Sequence, residues 1–267
     1  MVNIKSKKEL EIMRQCSKLV AQILRRLASQ VKAGVSLLDL DNEAERLSKE
    51  EGAIPAFKGY MGYEHSLCTS VNEQVVHGIP SHRKLKEGDI VGLDFGLLYE
   101  GFYGDSAVTI PVGHIPETTK RLMKTTLDAL YAGIRAARAG NTLKDVCGAI
   151  EATVRPHGYG IVKEFVGHGI GRKLHEEPQV PNYASAAPHL KLQPGMTLAI
   201  EPMINEGSGG VRVLSDKWTV VTVDGKLSAH YEHSIAVTDG DPEILTNWED
   251  ASFEDFLKDH PKKGPYG

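Results

Sequence analysis

Apolar residues recur at helical spacing from Leu10 through Met13, Val20 and Leu24 to Leu27. Ser6 and Glu9, just ahead of them, have the spacing of a capping box, and Gly34 offers the stop. A second helix is predicted next: Ser36 and Asp39 repeat the cap signature, Leu40, Ala44 and Leu47 supply the stripe, and Gly52 ends it. Further on the pattern turns to β-rich runs at 90–98, 102–110, 197–204, 218–223 and 234–238, expected to be antiparallel strands. After Thr246 the chain mixes acids with a few aromatics and then reaches Pro261 and Pro265, so a docked or mobile tail is expected over 247–267.

The helix-pair signature returns. Lys32-Ala33-Gly34, Ser36-Leu37, Asp39 and Gly52 are echoed at a constant offset of 106 positions by Arg138-Ala139-Gly140, Thr142-Leu143, Asp145 and Gly158. Leu85, Gly88, Ile90 and Asp94 are echoed at an offset of 107 by Leu192, Gly195, Thr197 and Glu201. This period far exceeds the roughly 20–50 residues of a solenoid repeat. The expectation is therefore one domain over 1–246, built from similar halves at about 6–112 and 113–240, with a shared site drawing residues from both.

Composition narrows the function classes. With 267 residues, 41% hydrophobic and 25% charged, the chain can build a sizeable core, which excludes collagen-like and mostly disordered readings. A net charge of -4 gives no general attraction to nucleic acid or anionic membrane. The opening residues lack an apolar signal region and no run approaches about 18 apolar residues, so a cytoplasmic protein without a membrane or sequence-specific nucleic-acid partner is expected. Cys16, Cys68 and Cys147 form no C-x-x-C pair and are expected to be free thiols.

The chemistry-bearing residues are acidic. Asp94 and Asp105 flank a turn expected at Tyr99-Glu100-Gly101, which sets them roughly opposite each other, on one face, with a bulge at the glycines. Two ionised carboxylates so close repel, so either one is protonated or a cation lies between them. His168 projects from Gly167-His168-Gly169, a run that lacks dinucleotide-fingerprint spacing; Gln179 stands where a zincin motif starting at His175 would need its second histidine. Glu201 sits before Pro202 in an apolar run, and Glu232 lies between Tyr231 and His233. Asp94, Asp105, His168, Glu201 and Glu232 form an oxygen-plus-imidazole set suited to divalent Mn, Fe, Co or Zn, and four carboxylates could hold two ions about 3.5–4 Å apart.

These strings, together with Asn72-Glu-Gln-Val-Val-His77-Gly-Ile-Pro, Asp94-Phe-Gly, His175-Glu-Glu-Pro and Tyr231-Glu232-His, resemble the type I methionine aminopeptidase family from the first helix to about Thr246. The resemblance implies an α+β pita-bread fold, two pseudo-symmetric halves of helix pair and antiparallel sheet around a dinuclear metal site. It implies that Asp94 ligates one metal, His168 and Glu201 the other, and Asp105 and Glu232 bridge both, and that the protein is a monomer releasing initiator methionine from nascent polypeptides with small second residues. Glu201 would shuttle a proton from a water held by the metals, while His77 and His175 would contact the substrate. Phe57, Tyr60, Tyr63, Cys68, Leu174 and Trp218 would wall the methionine pocket, with Phe57 and Leu174 departing from the family's usual residues. A monovalent cation near Asn72, Gln74 and Ser228 is a further implication; a transient ribosome contact is compatible with such an activity, with Lys5, Lys7, Lys8 and Lys58 as local positive charge. Prolidase relatives share the fold but carry an extra N-terminal domain.

Overall fold

Both opening helices begin at their predicted caps. Ser6 Oγ accepts from Glu9 N–H and the Glu9 carboxylate accepts from Ser6 N–H, after which α1 (Lys7–Ala28) buries Met13, Cys16, Val20, Leu24 and Leu27. The helix closes at Ser29, short of Gly34. Ser36 and Asp39 form the same reciprocal box ahead of α2 (Leu37–Glu50). The computed structural model describes residues 2–248, so the expected tail beyond Trp248 lies outside the described residues.

After α2 come β1 (Ile54–Pro55), β2 (Cys68–Val71), β3 (Gln74–Val76) and a long hairpin, β4 (Ile90–Tyr99) and β5 (Phe102–Pro111). A second helix pair, α3 (Glu117–Ala136) and α4 (Leu143–Val154), leads to β6 (Gly160–Ile161), β7 (Gly167–Gly169), β8 (Glu176–Val180) and β9 (Thr197–Ile200). The chain finishes with β10 (Met203–Asn205), β11 (Val211–Val213), β12 (Val220–Thr222), β13 (Ser228–His230), β14 (Glu232–Ala236) and β15 (Glu243–Ile244). The residues ahead of α2 and α4 are tied in matching ways, Ser36 bridging to Lys84 and Thr142 to Lys191. Among the described residues no helix is long and apolar enough to cross a membrane, and all three cysteines are free and buried.

The main sheet has the order β1-β4-β5-β14-β9-β7-β8, with β2 added on β4 and β15 on β14. Its pairings are antiparallel. Leu93, Phe95, Val108 and Ile110 join Val20, Leu24 and Leu27 of α1 in the main core. Side chains alternate along a strand, so Asp94 and Ala107 point to the opposite face.

Three strand expectations need correcting. The hairpin turns on Glu100 and Gly101 alone, both with positive φ (48° and 80°), as a two-residue turn between twisted strands requires. Tyr99 thus pairs with Phe102, and the register runs without a bulge: Asp94 faces Ala107, and Asp105 faces Gly96. Asp94 and Asp105 are diagonal neighbours on one face rather than opposite each other. The run 197–204 breaks at Glu201-Pro202, where the missing N–H of proline ends the ladder, and β9 and β10 lie in different sheets. Finally, the last two runs shift: Trp218 stands outside β12, and the final one starts at Glu232 and stops at Ala236.

Trp248 closes the described chain against the back of the site. Its ring lies 3.9 Å (centroids) from that of His233, and Nε1 donates to Ser106 Oγ at 3.2 Å. Ser106 Oγ in turn donates to the Glu232 carbonyl at 2.7 Å. Trp248→Ala is expected to lower unfolding free energy by about 3–5 kcal/mol, read as a lower urea midpoint; an unchanged midpoint would show that the docking contributes nothing.

Candidate metal centre

Sheet register gathers the five predicted ligand residues. Ala107 pairs with Asp94 on one side and Glu232 on the other. Asp105, two residues from Ala107, shares its face. His233 pairs with Ile200, so the same register carried one residue further sets Glu201 beside Glu232. His168 pairs with Ala199, two residues before Glu201. Strands β4, β5, β14 and β7, with the residue that directly follows β9, therefore deliver these side chains to one face. Cys68, paired with Asp94, joins them.

Hydroxyl groups fasten the central strands. Ser234 Oγ donates to the Asp105 carbonyl (2.8 Å) and accepts from Asp105 N–H (3.2 Å). Thr109 Oγ1 makes the same reciprocal pair with His230, donating to its carbonyl and accepting from its N–H. His168 needs its glycine neighbours because its strand runs between two others. A Cβ on Gly167 would sit 2.4 Å from the Ala199 carbonyl oxygen, and one on Gly169 would sit 2.3 Å from that of Glu177.

The electrostatics require compensation. Burial pushes Asp94 up to about 7. Burial, and then the neighbouring carboxylates, push Asp105, Glu201 and Glu232 well above the usual carboxylate range. Oxygens of Asp94, Asp105 and Glu232 are buried without a hydrogen-bond partner among the described residues. His168 Nδ1 donates to the Gly169 carbonyl at 2.9 Å, which leaves Nε2 as a bare lone pair 3.5 Å from Glu201 Oε1. Burial and nearby His175 lower His168 to about 3, so it is neutral at pH 7. Ligand atoms of Asp105, His168 and Glu232 lie within 4.8 Å of one another. Acceptors converging without donors are the chemistry of a cation site, and the O/N set suits a divalent metal.

This cluster forms one wall of a cavity of about 190 Å³. Phe57, Tyr60, Tyr63, Cys68, Leu174 and Trp218 all line it, as do His77 and His175. Tyr60 Oη lies 2.7 Å from His175 Nδ1. The His77 ring meets Phe165 and Trp218 edge-on. Burial, then His175, lowers His77 to about 4, and burial also lowers His175. Sequence reasoning missed two lining or neighbouring groups. Met61, exposed and with φ 49°, joins the lining. His230 is buried with Nε2 unpartnered, 3.8 Å from Glu201 Oε2; its signal was its place two residues before Glu232.

Other expected residues have local duties. Asn72 Nδ2 donates to Asp89, Asn72 Oδ1 accepts from Ile90 N–H, and Gln74 Oε1 accepts from Val71 N–H. Ser228 N–H donates to the Asn72 carbonyl. Of the four lysines expected to offer surface charge, Lys5 is buried against Glu176 and Lys58 pairs with Glu45. Lys7 and Lys8 alone stand exposed without such a contact.

The model of metallopeptidase family M24 matches residues 11–239. Methionine aminopeptidase 1 of Bacillus subtilis is 48% identical over 246 residues, which covers 92% of this chain and 99% of that one. The solved methionine aminopeptidase of Thermotoga maritima is 45% identical with a TM-score of 0.90, covering 92% of this chain and 100% of its own. A prolidase from Pyrococcus furiosus, 24% identical with a TM-score of 0.76, shares the fold over 91% of this chain and 65% of its own.

The raised carboxyls fix how metal binding depends on pH. Without metal, groups with raised values cost stability as pH climbs from about 4 towards those values, while His168 is already neutral. A divalent ion relieves that cost and competes with fewer protons at higher pH. Chelation should therefore lower the thermal midpoint more at pH 8 than at pH 5.5, as measured by paired melts with and without Mn²⁺. An equal loss at both would contradict this.

Proposed function

The chain belongs to metallopeptidase family M24 and has that family's pita-bread fold, and from this premise we propose that it is a metal-dependent aminopeptidase removing the initiator methionine from nascent proteins. The observation that carries the reading is the five-residue acidic and imidazole cluster opening on a small, mainly apolar cavity.

Asp94 with Asp105 and Glu232 would hold one divalent ion, and His168 and Glu201 with the same pair a second. Two such ions supply Lewis acidity and bring the pKa of a water towards neutrality. The remaining steps fall to the protein's own groups. Glu201, at the cavity wall beside His168 Nε2, would take a proton from an attacking water and pass it to the leaving amine. With Tyr60 Oη–H donating to Nδ1, His175 carries its ring proton on Nε2 and offers it to the developing oxyanion. His77, neutral and braced by two aromatic edges, hydrogen-bonds the scissile amide nitrogen.

At about 190 Å³ the cavity is smaller than the roughly 300–1,000 Å³ of drug-sized sites and suits one side chain. Phe57, Tyr63, Cys68 and Leu174 form an apolar cluster fit for an unbranched thioether. A free α-amine is the charge complement of the acidic wall. The same reading includes a monovalent cation beside Asn72, Gln74 and Ser228, held through main-chain carbonyls because the amide side chains of Asn72 and Gln74 are engaged. We further infer a cytoplasmic monomer with small second residues preferred, and any ribosome contact would draw on Lys7 and Lys8.

Metal-loaded protein given Met-Ala-Ser should release free methionine, and faster than from Met-Phe-Ser. Asp105→Ala should abolish release. His175→Ala should lower kcat by about 10²–10³. Absence of methionine with each of Mn, Co, Fe and Zn would refute the proposal.

A further inference from the structure

Lys5 precedes α1 and Glu176 opens β8, yet the Lys5 ammonium meets Glu176 Oε2 at 2.5 Å with only 5% and 4% of the two side chains exposed. A buried ion pair is weak evidence for stability, because desolvation offsets much of its attraction. The surroundings suggest a different service. Glu176 directly follows His175, and its other oxygen, Oε1, accepts from Lys173 N–H at 3.2 Å. Asn3 Nδ2 also donates to Oε2 at 3.2 Å. Burial alone would raise the Glu176 carboxyl, but the hydrogen bonds from Lys5 and Asn3 hold it below its ordinary value and keep it charged.

The stem of Lys5 crosses directly under the loop 171–175. A Cβ on Gly171 would lie 2.4 Å from Lys5 Cε and 2.9 Å from Glu176 Oε1, so the Lys5 side chain passes in close contact with the Gly171 backbone and a larger residue there would displace the end of the pair. From the other side, Gly171 O accepts from Tyr103 N–H on β5 at 2.7 Å. The N-terminal segment is itself anchored, with Lys5 N–H donating to Gly195 O at 2.8 Å just ahead of β9. The loop carrying Leu174 and His175 is thus held between β5 and a strap made of Asn3 and Lys5.

We propose that Lys5 is a positioning residue for His175: its buried pair with Glu176 sets how far the 171–175 loop carries the imidazole into the cavity. This rests on the reading of His175 as the oxyanion donor. Lys5 does not line the cavity and acts through the loop.

The test uses the full-length, Mn-loaded protein and Met-Ala-Ser. Lys5→Met should lower kcat about tenfold, with KM and bound metal nearly unchanged. The double variant Lys5→Met/Glu176→Gln leaves no orphan charge to unfold the chain and should stay similarly slow. Added to His175→Ala, Lys5→Met should cost less than about twofold more, because both changes remove one function. The ring resonances of His175, read in the Zn-loaded protein because Zn²⁺ is diamagnetic, should shift in Lys5→Met. Wild-type kcat in the folded single and double variants, loss of metal accounting for the slowing, or a full multiplicative cost on His175→Ala would overturn the proposal. If the unaltered protein releases no methionine, the function proposed above fails, and the His175 resonances then decide this inference: shifted supports it, unmoved overturns it.

Discussion

Four carboxylates crowded on one buried face of an antiparallel sheet are the constraint around which this structure is organised. Asp94, Asp105, Glu201 and Glu232 repel one another and lose hydration, and several of their oxygens find no donor among the described residues. Such an arrangement persists only if protons or cations neutralise it, because an unpaired buried charge is among the costliest features a fold can carry. The bare Nε2 of His168, fixed by its Nδ1 bond to Gly169 O, adds a neutral acceptor to the same cluster. Acceptors without donors are the signature of a metal centre.

Register does the gathering. A slip of one residue in any of five strands would send its ligand to the helix-packed side among Leu93, Phe95 and Val108. Several devices oppose such a slip. The two-residue turn at Glu100-Gly101 pins the hairpin. Ser106, Thr109 and Ser234 then bolt β5 to the segment bearing His230 and Glu232 through side-chain bonds to backbone. Ala107, lying between Asp94 and Glu232, keeps the middle of the cluster open. The apolar cavity shares the same sheet face through Cys68, so the binding slot and the acidic wall are fixed to one another by backbone pairing.

What could be read from sequence was mostly local. Capping boxes involve residues three apart, and both reciprocal boxes expected at Ser6 and Ser36 form. The candidate ligand residues were legible because carboxylates inside apolar strands demand partners, and the resemblance to a known family pointed to the residues that line the cavity. The register of Asp94 against Asp105 was misjudged because one residue more or less in a turn changes every cross-strand pair, and composition does not count turn residues. Strand order was beyond reach for another reason: β5 meets β14, and β14 meets β9, through pairings of residues far apart in the chain. The same holds for Trp248 on His233 and for Lys5 under the 171–175 loop. A lysine near the start of a chain looks like solvated charge until its partner 171 positions away is in view.

A cluster of this charge and burial should take up two divalent ions. Equilibrium dialysis of metal-stripped protein against Mn²⁺ at pH 7.5 measures that directly. Two ions per chain are expected, reduced in a variant in which Glu232 is replaced by glutamine. Uptake of none, or the same uptake with and without the Glu232 carboxylate, would contradict it.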